Sequence, residues 1–248
     1  MSNELIAARK YYSKVSSILD QVINTQAESI SKAADVVVKT VDQGGAIYLF
    51  GTGHSHLLAE EGHFRAGGLV PVIPILISSL MLHESAINSG KLERMPGLAA
   101  AILSHYQTDA NDIMIIFSNS GVNAVPVEMA LEAKKIGMQV VGVLALSYAQ
   151  VAPLSSVGKR LNEIVDIVVD NQIQAGDAVL EVGKTGLFTG PASTIVGAFI
   201  LNAILTEAIC RMDAAGKKPP IYISSNMPGA AEHNQKYLTQ AKARNPHL

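Results

Sequence analysis

Five short apolar runs constrain this chain more than any other feature. They are "AIYLF" (46–50), "VPVIPIL" (70–76), "DIMIIFS" (112–118), "QVVGVLAL" (139–146) and "EIVDIVVD" (163–170). Each is rich in Val, Ile or Leu and lacks the apolar–polar alternation of a strand with one wet face. Strands of that kind are buried on both sides, so helices must cover each face of their sheet. The spacers are long enough to hold those helices. In "SGVNAVPVEMALEAKKIG" (120–137) a turn leads into Ala130, Leu131 and Lys134-Lys135, and Gly137 stops the helix before the next apolar run. That is the order of a right-handed crossover. The expected fold is a three-layer α/β/α domain around a five-stranded parallel sheet.

The remaining segments fit around that sheet. Residues 3–42 contain no proline or glycine and carry helical apolar spacing, so they are expected to form an N-terminal helical arm of one or two helices. The core follows over about 43–215 and a polar tail over 216–248. The spacer 77–111 shows no readable pattern. A helix is expected from about 192 to 212, after Gly190-Pro191, and its apolar residues on nearly every face place it in the core or between subunits. No linker or repeat divides the 248 residues, which are expected to form a single domain.

Charge and composition narrow the partners. A net charge of −2 offers no basic excess for tracking phosphates along a nucleic acid, and no Lys/Arg run suits a membrane surface. The single cysteine, Cys210, cannot form an intrachain disulfide, and the first twenty residues lack an apolar signal core. The longest apolar runs are interrupted by Pro71 and Pro74 or by Asn202 and Glu207, short of the roughly 18 continuous residues of a membrane span. A cytoplasmic location is expected, without nucleic acid or membrane partners.

Two turns carry the functional signal. "GTGHS" (51–55) follows the first apolar run and "SNSG" (118–121) follows the third. In an open parallel sheet, ligands bind beyond the carboxyl ends of the strands, where helix N-termini present free amides. Gly51, Gly53 and Gly121 let the backbone approach an oxyanion closely. Ser55, Ser118, Asn119 and Ser120 add side-chain donors. A phosphate ester fits both turns. "GTGHSH" lacks the third glycine of a dinucleotide fingerprint, and "VGKTG" (182–186) lacks the upstream glycine of a nucleotide-hydrolase loop.

The histidines after the first turn suggest chemistry. If a helix begins near Ser55, then His56, Glu60 and His63 share one face at i, i+4 and i+7. Glu60 could serve as the base that moves a proton between sugar carbons, with His63 relaying a hydroxyl proton and His54 and His56 lining the pocket mouth. The same stripe could hold a divalent metal, or could be a solvated helix face with His54 or His56 capping the turn. No cofactor is otherwise implied. Glu207 is a further acid inside an apolar helix, with Arg211 one turn on as its natural partner, and His83-Glu84 falls in the unreadable spacer.

"YLFGTGHS", "IMIIFSNSG", "MQVVGVLAL" and "GPAST" together resemble the sugar isomerase (SIS) domain of phosphosugar-binding proteins, close to the phosphoheptose isomerase branch, over roughly residues 3–215. The resemblance implies a phosphate held by Ser118, Ser120 and Gly121, and a homodimer or homotetramer with sites near subunit contacts. Asn123 stands where the family usually has a threonine or serine. The His and Glu found four residues apart on the following helix in phosphoheptose isomerases fall in register with Glu61 and Arg65. "LEVGKTG" resembles the stretch that carries the base in the glucosamine-phosphate synthase isomerase domain, which nominates Glu181, with Asp177 its neighbour. Glu181 and Glu60 lead the candidate bases. The expected function is sugar-phosphate binding with aldose–ketose isomerisation. The alternatives are a non-catalytic phosphosugar sensor or partner-binding subunit, and a phosphosugar lyase or etherase, which "GDAVL…GPAST" also resembles.

Overall fold

A computed structural model describes residues 5–248 of the chain. The five apolar runs form strands β1 (Ile47–Gly51), β2 (Val72–Pro74), β3 (Ile113–Phe117), β4 (Gln139–Leu144) and β5 (Ile167–Asp170). All pair in parallel, in the order β2-β1-β3-β4-β5. β2 to β5 are each shorter than their apolar runs, and β1 is shifted by one residue to end on Gly51. Strand residues alternate between two cores. Ile47 and Leu49 face one side with Ile113, Ile115 and Phe117, while Tyr48 and Phe50 face the other with Met114 and Ile116. Both sides are dry, which explains why no alternation was visible in the sequence.

The expected arm is two helices, α1 (Ile6–Thr25) and α2 (Ala27–Asp42); residues 3 and 4 of the expectation lie outside the described residues. Short α3 (His56–Gly62) follows β1. The unreadable spacer holds α4 (Leu82–Leu92) and α5 (Leu98–Leu103), and α6 (Ala124–Ile136) is the expected crossover helix. Beyond β4 comes α7 (Leu146–Val151). One face of the sheet is covered by α1, α2, α3 and the long α8 (Ser193–Ala214), the other by α5 and α6. By length and apolar composition α8 could span a membrane, yet it lies along α2 and α3 with eight residues buried, Val196, Ile200 and Ile204 among them. Its other side leaves Ile195 exposed and Phe199 half-buried, so the expected all-round burial is not reached within one chain.

Two elements were not anticipated. An antiparallel hairpin, β6 (Ala178–Glu181) and β7 (Phe188–Pro191), stands apart from the main sheet with Val182, Leu187 and Phe188 exposed. The tail is not merely polar coil. It forms α9 (Ala230–Lys242), and Tyr222 and Pro220 exchange backbone bonds with Gly67, Gly68 and Val70 beside β2.

Candidate functional site

The carboxyl ends of β1 and β3 lie side by side, since Gly51 pairs with Phe117 in the sheet register. After β3 the chain turns sharply. Gly121 sits at φ +63°, and a Cβ there would lie 2.7 Å from Leu144 Cδ1, so both the backbone conformation and the close packing require glycine. The turn is held by Gly121 N–H donating to the Ser118 carbonyl and by Ala145 N–H donating to the Asn119 carbonyl. Asn171, just beyond β5, donates from Nδ2 to Asn119 Oδ1 at 2.9 Å and so fixes that side chain. The amides of Asn119, Ser120, Val122 and Asn123 have no hydrogen-bond acceptor among the described residues. Asn123 occupies the N-cap of α6 without capping it through its side chain. The free amides at the start of a 13-residue helix and the serine hydroxyls therefore surround one space.

That space is a cavity of about 340 Å³ lined by Thr52, Ser55, Glu93, Arg94, Ser118, Asn119, Ser120, Val122, Asn123, Tyr148, Ala152 and Pro153. Of the residues expected from the sequence, Ser55, Ser118, Asn119, Ser120 and Asn123 are on its wall. The carboxylate that joins them is Glu93, just past α4. Its Oε2 accepts a hydrogen bond from Thr52 Oγ1 at 2.7 Å and its Oε1 pairs with Arg94 Nη1 at 3.0 Å. The Glu93 side chain is 14% exposed. The fold holds it at the mouth of α6: the Glu93 carbonyl accepts the Val125 amide at 3.0 Å, and the Gly97 amide three residues beyond Arg94 donates to both oxygens of Glu128. Nothing in the local sequence marked this glutamate, because the contacts that place it come from Thr52, just past β1, and from α6.

The first turn behaves differently. A Cβ on Gly51 would lie 2.4 Å from the Ser55 carbonyl, so the chain folds tightly back on itself through a 3-10 turn at Gly53–Ser55. His54 is exposed. His56 is 1% exposed, and both ring nitrogens lack a hydrogen-bond partner. Burial pushes its pKa down to about 4; the Gly51 carbonyl opposes this, and His83 and His247 add to it. His56 Nε2 lies 3.5 Å from Glu60 Oε1, too far for a good hydrogen bond.

The expected stripe ends early. Gly62 is the last residue of α3, and His63 is extended at φ −83°, ψ 132°, with its ring 6.4 Å from that of His247 in the tail. Burial lowers the His63 pKa, and the His247 carbonyl partly offsets the effect. His63 therefore packs under the tail, and neither it nor Glu60 lines the cavity. The described residues contain no group of three or more His, Cys, Asp or Glu arranged to hold a metal ion.

The other acids have structural partners. Glu181 is exposed on the hairpin and does not line the cavity. Asp177 caps α8: its Oδ1 accepts the amides of Ala192 and Ser193, and its Oδ2 accepts the Ser193 hydroxyl. Glu207 pairs with Arg211, which also binds Asp35 and the Ser31 carbonyl and so ties α8 to α2. Glu61 accepts hydrogen bonds from Arg65 at 2.6 Å and from Asn202 on α8 at 3.1 Å. His83 starts α4, with Nε2 3.2 Å from Ser78 Oγ, and neighbouring Glu84 is exposed.

A parallel sheet with a polar, amide-lined cavity beyond its carboxyl ends defines an open α/β protein. The chain belongs to the SIS domain family, whose model matches residues 10–145. It is 42% identical to a UPF0309 protein of Geobacillus thermodenitrificans over 96% of both chains, and 44% identical to one of Halalkalibacterium halodurans with the same coverage. Among solved structures, a phosphoheptose isomerase from Neisseria gonorrhoeae superposes with a TM-score of 0.56, covering 84% of this chain and 98% of that one at 14% identity. That likeness establishes the fold.

Proposed function

We propose that the protein binds a phosphorylated sugar in the cavity above β1 and β3 and interconverts its aldose and ketose forms. The observation that carries this reading is the presence of an anion-ready turn and a shielded carboxylate, Glu93, on the wall of one cavity. The phosphate ester is held by the amides of Asn119, Ser120, Val122 and Asn123, by the hydroxyls of Ser118 and Ser120, and by the α6 N-terminus. Gly121 keeps that turn tight.

In the open-chain sugar, Glu93 takes the proton from C2 of the aldose, leaving an enediolate. The protonated Glu93 exchanges with water during the life of the enediolate and delivers a proton to C1 to give the ketose, while the hydroxyl proton passes between O1 and O2. The cavity-lining Tyr148 phenol is placed to relay that second proton. Thr52 orients Glu93 through Oε2. In this assignment Glu93 takes the role first considered for Glu60 or Glu181, because it alone of the three lines the cavity. That a structural neighbour is a phosphoheptose isomerase supports the reaction class.

Mass spectrometry of ligand carried through native purification tests the binding half of the proposal. A sugar monophosphate is the expected species. Isothermal titration with that compound and with its unphosphorylated form should show binding of the first and little of the second. Equal binding of both places the ester outside the serine turn. A phosphosugar that binds tightly and never turns over favours the sensor reading instead. The exposed apolar residues of the hairpin and of α8 further support a homodimer or homotetramer, which light scattering at micromolar concentration will reveal.

A further inference from the structure

The cavity wall holds one cation and one anion, and they are sequence neighbours bound to each other. The recorded hydrogen bonds of the Arg94 guanidinium both run through Nη1, to Glu93 Oε1 and to the Gly90 carbonyl, so Nε and Nη2 have no acceptor among the described residues. The Arg94 side chain is 61% exposed, and an ion pair that open to water is weak and easily exchanged. A phosphate is a better partner for a guanidinium, since it offers two oxygens to the planar fork and carries more charge. With Thr52 on one oxygen and Arg94 on the other, both Glu93 oxygens are engaged, and Oε1 is blocked from a substrate C–H while the guanidinium holds it.

We infer that Arg94 guards the Glu93 carboxylate and is drawn off it by the phosphate of the incoming sugar, so that ester binding both anchors the substrate and frees Oε1 to act as the base. The inference rests on the phosphosugar reading of this cavity and adds its specificity device. A neutral sugar of the same shape has nothing with which to recruit Arg94. It meets a guarded base, so the ester raises turnover as well as affinity.

Competition between Glu93 and phosphate for one guanidinium can be measured without any catalysis. Inorganic phosphate binding is compared in the parent protein, Glu93→Gln, Arg94→Gln and the double variant, with circular dichroism confirming folding. Arg94→Gln should weaken phosphate binding about tenfold or more, while Glu93→Gln should strengthen it several-fold because Arg94 is released. In the double variant the gain from Glu93→Gln should largely disappear; what is left is the simple effect of removing a negative charge. An equal gain with and without Arg94 overturns the guard, as does phosphate affinity that ignores Arg94.

The second readout is solvent deuterium exchange into an unphosphorylated sugar with phosphite supplied separately. Phosphite should accelerate exchange in the parent, and Arg94→Gln should exchange the bare sugar faster than the parent and ignore phosphite. A bare-sugar rate that Arg94→Gln lowers contradicts the inference. Phosphate coupling as expected, with no exchange into any sugar phosphate, defeats the isomerase reading and leaves the Arg94 exchange between carboxylate and phosphate in place.

Discussion

The segments that leave β1 and β3 start alike and end differently. Both strands end in glycine- and serine-bearing turns, side by side in the sheet. After β3, the turn opens into a cavity and leaves its amides free. After β1, the chain closes within five residues and drives His56 into the core with both ring nitrogens unpartnered. Polar residues after a parallel strand thus have two fates, and the decisive difference lies in what packs above. Over β3 the α6 N-terminus and the α4–α5 connection leave room; over β1 the chain folds back on itself and α3 packs directly on the strand.

The largest expected effect that could break this comparison is the acid sensitivity of the β1 side. The His56 pKa is lowered in the folded chain from an ordinary value of 6.5 to about 4, so protonation favours the unfolded state. Stability is fully present above about pH 6.5 and falls as pH drops toward 4, by at most about 3 kcal/mol from this one group. Urea denaturation at a series of pH values should show that loss, and His56→Gln should reduce the slope, with His63 and His247, whose pKa values burial also lowers, supplying the rest. An unchanged slope would mean that His56 has found a partner.

On the β3 side, Ser120→Ala should weaken phosphosugar binding by about 1–3 kcal/mol, the range for a hydrogen bond to a charged group, and leave the unphosphorylated sugar unaffected in calorimetry. Smaller still is the expected effect of Glu60→Gln. Its carboxylate is largely exposed and off the cavity wall, so turnover should stay within a few fold of the parent. A loss of 100-fold would return the base to α3. Smallest is Glu61→Ala, whose contacts with Arg65 and Asn202 are partly exposed; a loss of up to about 1 kcal/mol in thermal unfolding is expected, with no effect on binding.

The fold was legible because the inner strands are buried on both faces and therefore write continuous apolar runs. The serine turn was legible because its residues are consecutive. Glu93 was not, because its role depends on a hydrogen bond to a threonine 41 positions earlier and on a backbone contact to α6. The His56–Glu60–His63 spacing was a real helical spacing only as far as Gly62, and no local signal announced that the tail would cover His63. Asp177 looked available in sequence because the amides that occupy it belong to the start of α8, fifteen and more positions on, whereas the Glu207–Arg211 pair was legible as an i, i+4 spacing. The hairpin went unread because its strands, "AVLE" and "FTGP", are only four residues each, too short for a period of two to show.

Proton exchange decides the central claim, that the carboxylate beside the serine turn moves the sugar proton. Parent protein and Glu93→Gln are each incubated in deuterated water with the sugar phosphate they are shown to bind, and label at C1 and C2 is followed by NMR. The account predicts deuterium incorporation with isomerisation in the parent, and in Glu93→Gln a loss of about 100-fold or more with affinity held within a few fold. Undiminished exchange in Glu93→Gln would contradict it.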